Sequence, residues 1–283
     1  MNPLVTLVTP IYNAMPWLRD YLDSVLRQTW RPLEVILVDD GSTDGSADCL
    51  REMEPVLTRA GLTVRLLFRD HRGQAAAVNA ALPEIRGEFF TWCDADDLLT
   101  PDSVEKKTRW LLSHPEIGMV RSNGIVLDAD TNTVLSDSAK PADRCDKDIF
   151  RELFCDETYC YAGCYMIRSD LFFAGYPDRQ MPESPEGQNL QLLLPSASRT
   201  VCGYLDEKLH TYCRRSGGHS SQKRAYRAVL RRIENFTALR LTVLAYCDCD
   251  RDAYVRLAEL REKQARQALL HSAAKLAREE QNK

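Results

Sequence analysis

Along the first hundred residues, short apolar runs that end in polar or acidic residues alternate with stretches whose apolar positions recur every three or four residues. Runs at 4–9, 33–38, 64–68 and 88–93 read as strands. Behind Pro16, which suits an opening helical turn, Leu18, Leu22, Val25 and Leu26 share one helical face; Ala75, Val78 and Leu82 do the same after Gly73. After Pro101, a helix carrying Val104, Trp110 and Leu111 leads to a β-like run at 119–127. Residues 128–148 are polar and read as a loop, and 162–167 as a further strand. Residues 175–187, with Pro177, Pro182 and Pro185, read as a long loop of the kind that grips or covers substrate. From Gln222 onward Gly and Pro disappear while Val229, Ile233, Phe236, Leu239 and Leu241 keep helical spacing, so the tail reads as helices fraying after about Arg278. The alternation predicts an α/β fold, a mostly parallel, Rossmann-like sheet flanked by helices, with a C-terminal helical extension.

With 283 residues, 44% of them hydrophobic, the chain can bury a sizeable core. A net charge of -4 gives no basic excess for a nucleic-acid backbone, although Arg214-Arg215 and Arg231-Arg232 are suited to meeting phosphate. No stretch approaches the roughly 18 to 20 uninterrupted apolar residues of a membrane span, and no basic segment precedes a long apolar run at the start. The expectation is a cytosolic protein without a transmembrane segment. Ten cysteines in such a chain read as thiols; Cys145, Cys155, Cys160 and Cys164 cluster without the paired C-x-x-C spacing of a zinc site, and Cys247-x-Cys249 is a weaker signal still.

Chemistry concentrates where the strands end. In open α/β sheets the ligand crevice lies outside the carboxyl ends of the strands, so Asp39-Asp40-Gly41-Ser42 and Asp94-Ala95-Asp96-Asp97 should converge. G-x-G-x-x-G is absent, which counts against an ordinary dinucleotide site. Asp94 and Asp96 have the spacing to hold a hard divalent cation, Mn²⁺ or Mg²⁺, completed by substrate phosphates and water; a solvated turn before Pro101 would have the same sequence. Tyr12 can stack on a base and Asp40 can accept hydrogen bonds from a base edge, the alternatives being a packed ring and a turn residue.

Four motifs then occur in order: Val8-Thr9-Pro10-Ile11-Tyr12-Asn13, Val38-Asp39-Asp40-Gly41-Ser42-Thr43-Asp44-Gly45-Ser46, Gly73-Gln74-Ala75-Ala76-Ala77-Val78-Asn79 and Cys93-Asp94-Ala95-Asp96-Asp97. Together they resemble the family-two glycosyltransferases. The resemblance implies a GT-A fold, a nucleotide-diphosphate sugar donor, a UDP-sugar above all, and transfer with inversion. It implies donor contacts from Thr9, Pro10, Tyr12, Asp40, Gly73, Asn79 and Asp94, and a D-x-D metal motif of Asp94 and Asp96, with Asp96 in direct contact. For Gly73 and Asn79 a helix-start glycine and a satisfied amide are the alternatives. The chain divides on this basis into a nucleotide-sugar-binding half at 1–100, an acceptor-binding half at 101–221 and a helical tail at 222–283.

Inversion by direct displacement needs a base for the acceptor hydroxyl. The family's acidic pair at a helix start is matched here by Gln188-Asn189, and amides do not accept protons at neutral pH. Glu186 is the leading substitute and Glu183 the next, while Gln188 and Asn189 remain acceptor-binding candidates. Tyr212-Cys213-Arg214-Arg215-Ser216-Gly217-Gly218-His219 resembles the family's late loop, in which Arg214 and Arg215 would face the diphosphate and His219 would reach the metal. Neither the Q-x-x-R-W motif nor the spans of processive synthases are present, which favours addition of one or a few sugars. By resemblance the acceptor is a saccharide or lipid-linked saccharide of a surface polysaccharide, met in the cytoplasm or at the inner membrane face by peripheral contact. Two alternatives stay open: a catalytically silent nucleotide-sugar-binding protein, and a sugar-phosphate nucleotidyltransferase, whose Gly-rich, Lys-bearing loop is absent.

Overall fold

The computed structural model describes residues 1–216 and 225–281. His219 and Gln222, the start of the predicted tail, lie outside the described residues. Strands β1 (Val5–Ile11), β2 (Leu33–Asp39), β3 (Thr63–Phe68) and β4 (Phe89–Trp92) alternate with helices α1 (Met15–Leu26), α2 (Ser46–Arg59) and α3 (Gln74–Ala81). Next come β5 (Leu98–Leu99), α4 (Ser103–Ser113), β6 (Met119–Asp128), β7 (Thr133–Asp137) and α5 (Phe150–Phe154). The chain continues through β8 (Tyr165–Arg168), α6 (Ser169–Gly175), α7 (Gln188–Ala197), β9 (Cys202–Arg214), α8 (Tyr226–Val243) and α9 (Arg251–Gln281).

The sheet runs β3-β2-β1-β4-β8-β6-β9-β5, with β7 added beside β6. Its first four strands are parallel. All seven residues of β1 and of β2 are buried, because helices cover both faces, and this is why both strands are mostly apolar; the buried carboxylate of Glu34 is met by Thr6 and Arg65. One face packs Leu18, Tyr21 and Leu22 of α1, Leu50 and Leu57 of α2 and Val104 and Leu111 of α4. The other packs Ala77 and Val78 of α3 with Phe154, Phe172 and Leu192 to Leu194 of α5 to α7. The tail belongs to the same core: Leu239 and Val243 of α8 and Ala258 of α9 are buried in it, and Tyr254 lies edge-on to Phe154 at 4.9 Å.

Some predicted boundaries move. Helix α2 buries Cys49, Leu50 and Leu57 on one face, although Pro55 sits inside it. The polar segment 128–148 contains β7, an exposed strand pairing with β6 across a register shift. The strand predicted from 162 begins at Tyr165, because Ala162–Cys164 forms a 3-10 turn. The late loop begins only at Arg215, since Tyr212, Cys213 and Arg214 continue β9 in register with Val126, Leu127 and Asp128. Short β5 pairs Leu98 with Thr211 and Leu99 with His210, and so holds β9 alongside the turn at 94–97. No helix among the described residues is long and apolar enough to cross a membrane.

Candidate active site

The carboxyl ends of β1, β2 and β4 open onto a pocket of about 410 Å³, lined by Pro10, Tyr12, Asp40, His71, Asp94, Asp96 and Arg215. A second pocket, about 590 Å³, is lined by Gly73, Asp94, Glu183, Glu186, Gln188 and Asn189, with Tyr161 and, from the tail, Arg232 and Phe236. Gln74, Asp94 and Tyr212 belong to both. The fold thus gathers in one place residues that sequence spacing alone leaves more than a hundred positions apart.

Asp40 is 2% exposed and fully engaged. Its Oδ2 accepts from Gly73 N at 2.7 Å and lies 2.8 Å from His71 Nδ1; its Oδ1 accepts from Arg72 N at 3.2 Å and lies 3.3 Å from Arg69 Nε. Gly73 starts α3 with φ +96, a conformation that glycine adopts without strain. Tyr12 is 47% exposed, and the His71 ring stacks on it at 3.8 Å. Thr9 points into the core, where its hydroxyl bonds Tyr21. Asn79 exchanges two hydrogen bonds with Met181, to O at 2.8 Å and from N at 2.9 Å, and so pins the loop before α7.

In the acidic turn, Gln74 Nε2 donates to Asp94 Oδ1 at 2.8 Å and Gln188 Nε2 approaches the same oxygen at 3.5 Å. Burial, then repulsion from Asp97 and Asp96, pushes Asp94 up to about 8. Desolvation and Asp97 push Asp96 up to about 6 against the pull of Arg215. Arg215 Nη1 donates to the Asp96 carbonyl at 2.9 Å, sits 3.4 Å from its carboxylate, and stacks over Trp17 at 4.5 Å. Asp97 is committed elsewhere: Oδ1 accepts from Cys213 N at 2.9 Å, and Oδ2 pairs with buried His210 Nε2 at 3.1 Å. Crowded carboxylates whose protons are held this strongly carry more negative charge than Arg215 offsets, and two hard oxygen donors fit a divalent cation. No group of three or more His, Cys, Asp or Glu among the described residues is placed to hold a metal, so Asp94 and Asp96 would need phosphate and water to complete the shell. Arg214 is exposed at the end of β9.

Glu186 Oε2 pairs with Arg232 Nε at 3.3 Å, and Glu183 Oε2 with Arg72 Nη2 at 2.8 Å. Asn189 Oδ1 accepts from Trp92 Nε1 at 2.8 Å, while Gln188 Oε1 is buried on the pocket wall without a partner among the described residues. Tyr161 and Tyr212 stack at 4.7 Å. Sequence reading missed His71, Gln74, Trp17, Tyr161 and Phe236, as well as Asp156, a further carboxylate on the second pocket, paired with Arg240; Arg232 it singled out only within a pair suited to phosphate. Of these only Gln74 lay within a recognised motif.

An α/β sheet with acidic and aromatic loops gathered outside its parallel strands defines a GT-A glycosyltransferase fold. Residues 6–173, more than half of the chain, match the sequence model of glycosyl transferase family 2, and the chain belongs to that family. It is 36% identical over 111 residues to the putative teichuronic acid biosynthesis glycosyltransferase TuaG of Bacillus subtilis, covering 39% of this chain and 43% of TuaG. Matches to curated bacterial glycosyltransferases take in 14–51% of those proteins' lengths. Among solved structures, S. aureus TarS 1-349 with UDP-GlcNAc superposes with a TM-score of 0.68 at 17% identity, over 91% of this chain and 72% of that one. The mannosyltransferase PcManGT of Pyrobaculum calidifontis, in complex with GDP-Man and Mn²⁺, superposes with a TM-score of 0.60 at 20% identity, over 97% and 76%.

Proposed function

We propose that this glycosyltransferase moves a sugar from a nucleotide-diphosphate donor, a UDP-sugar in the first instance, to a hydroxyl of a saccharide or lipid-linked saccharide, with metal assistance and inversion. The observation that carries the reading is the meeting of two pockets at Asp94, Gln74 and Tyr212. The smaller is the donor site: Tyr12 and Asp40 face the nucleoside, and Asp94, Asp96 and Arg215 the diphosphate. The larger is the acceptor site. Residues 1–100 then supply most of donor recognition, joined by Arg215, and residues 101–221 most of the acceptor wall, joined by Arg232 and Phe236.

Glu186 takes the proton of the acceptor hydroxyl, with Glu183 as the second candidate. The hydroxyl oxygen's electron pair forms the bond to the anomeric carbon as the bond from that carbon to the diphosphate oxygen breaks, and the released pair leaves with the nucleoside diphosphate. Arg215, on the lining of the smaller pocket, would balance the charge that grows there. A bound Mn²⁺ or Mg²⁺, held by Asp94 and Asp96, would supply further positive charge at the same point. The UDP-GlcNAc of TarS and the GDP-Man and Mn²⁺ of PcManGT support this reading, and TuaG's name supports a surface polysaccharide acceptor. We place the reaction in the cytoplasm, with the inner membrane face as the alternative where the acceptor is lipid-linked.

Calorimetry with UDP, GDP and their sugars, with Mn²⁺, Mg²⁺ or chelator, tests the donor site in the native chain and in Asp96→Ala. Cation-dependent binding lost in the variant is expected; absence of binding to every nucleotide by folded protein would sink the reading. The amides Gln188 and Asn189 favour a second reading, a silent nucleotide-sugar-binding protein, which tight donor binding with neither transfer nor hydrolysis would support.

A further inference from the structure

Deepening that donor reading, we propose that the His71 side chain occupies the nucleobase slot in the free protein and must swing out for the donor to bind. The imidazole satisfies at once the two groups assigned to the base. It stacks on Tyr12 with centroids 3.8 Å apart and planes 18° from parallel, and its Nδ1 lies 2.8 Å from Asp40 Oδ2. A flat ring with an N–H aimed at a carboxylate presents the same chemistry as the imide edge of a pyrimidine. Rings 3.8 Å apart are in van der Waals contact, so no base enters between them. The ring that bonds Asp40 is also the ring that covers Tyr12. A base using both residues therefore takes the place of the imidazole.

The backbone beneath is fixed, so the motion belongs to the side chain alone. A Cβ on Gly41 would stand 2.7 Å from His71 N, and Asp40 also holds the next two backbone amides, Arg72 N at 3.2 Å and Gly73 N at 2.7 Å. The His71 side chain is 49% exposed and can rotate into solvent without disturbing the core. Asp40 keeps those two amides and Arg69 when the imidazole leaves, so opening costs the local fold little. A site closed by its own side chain binds with an affinity reduced by the fraction of time it is open. His71 thereby sets how tightly base-bearing ligands are held, while ligands that carry only phosphate are indifferent to it.

The test compares the native chain with His71→Ala and His71→Phe by calorimetry, using UDP and inorganic pyrophosphate with Mg²⁺. UDP is expected to bind His71→Ala about tenfold more tightly, as for a slot open about a tenth of the time, with pyrophosphate unchanged. His71→Phe, which still covers Tyr12, stays near the native affinity for UDP. Unchanged or weaker UDP binding by His71→Ala overturns the proposal, and weaker binding would make His71 a supporting wall of the base site. An equal gain for pyrophosphate overturns it as well. If neither UDP nor pyrophosphate binds any of the three proteins, the donor reading fails and this inference falls with it.

Discussion

Lys107 gives a quantitative test of how the core supports the acidic turn. It lies on α4 with no exposed surface, and its Nζ donates to Gly163 O at 2.6 Å. Gly163 is where a Cβ would meet the His210 ring at 2.2 Å, and His210 in turn holds Asp97 beside Asp96. Burial pulls the Lys107 ammonium down from 10.5 to about 8, only partly opposed by Cys164 and Cys93. At ~1.36 kcal/mol per tenfold change in proton affinity, keeping this lysine charged in the core costs about 3 kcal/mol. Below about pH 8 both folded and unfolded chains carry the proton, and the full cost applies. Between about 8 and 10.5 the unfolded chain binds a proton that the folded chain has lost, so this contribution to stability rises with pH.

Lys107→Met removes the charge at similar length but leaves Gly163 O unpaired, a loss of about 1–3 kcal/mol. Near neutral pH the two effects oppose each other, and the variant should match the native protein or exceed it by up to about 2 kcal/mol. Near pH 10 the native chain has recovered roughly 2–3 kcal/mol relative to the variant, and the order reverses. Urea unfolding of both proteins at the two pH values, with equal m-values, reads the double difference directly. A difference between them that does not move with pH would refute the reasoning, because Lys107 would then keep its ordinary proton affinity inside the fold.

Glu186→Gln should lower kcat by about 10²–10⁴-fold while leaving UDP affinity unchanged; an unaltered kcat would move the base to Glu183 or Asp156. Arg215→Ala should weaken UDP by about tenfold and leave uridine unaffected, since a cation on a diphosphate is the strong kind of contact; titration of both ligands decides it. Gly187→Ala adds a Cβ 2.4 Å from Leu239 and 2.9 Å from Phe236 at φ +69, and should cost about 2–4 kcal/mol in urea unfolding. A midpoint within error of the native one would mean that α8 gives way freely.

The first half of the fold was legible because its central strands are parallel and covered on both faces, so that Val5 to Ile11 and Leu33 to Asp39 are mostly apolar despite Thr6, Thr9 and Glu34. Their ends located the site, since acidic loops outside parallel strands converge by topology. Strand β9 was not legible: Asp206-Glu207-Lys208 interrupts its apolar pattern where the register against β6 shifts. Pro55 hid α2, although Cys49, Leu50 and Leu57 carried its buried face. The task of Asp97 could not be read from the acidic motif, because its partner His210 lies 113 residues away and is brought up by the two-residue strand β5. His71 carried no signal at all, since its meaning comes only from the ring it covers.

The larger pocket bears on what the helical tail is for. Five carboxylates line that pocket, and three of them meet an arginine: Glu183 with Arg72, Glu186 with Arg232 and Asp156 with Arg240. Two of those arginines come from α8, so the tail supplies counter-charge to two acids on the pocket wall. The same helix packs Phe236 and Leu239 against Gly187, the residue that opens α7 and sets the path of Gln188 and Asn189. Aromatic rings from β9 and from the 3-10 turn region, Tyr212 and Tyr161, stack within the pocket and offer a flat face of the kind a sugar ring can lie against. Five carboxylates against two arginines on this lining disfavour a densely anionic ligand there. The tail is therefore better regarded as a wall of the larger pocket than as an appendage to the fold.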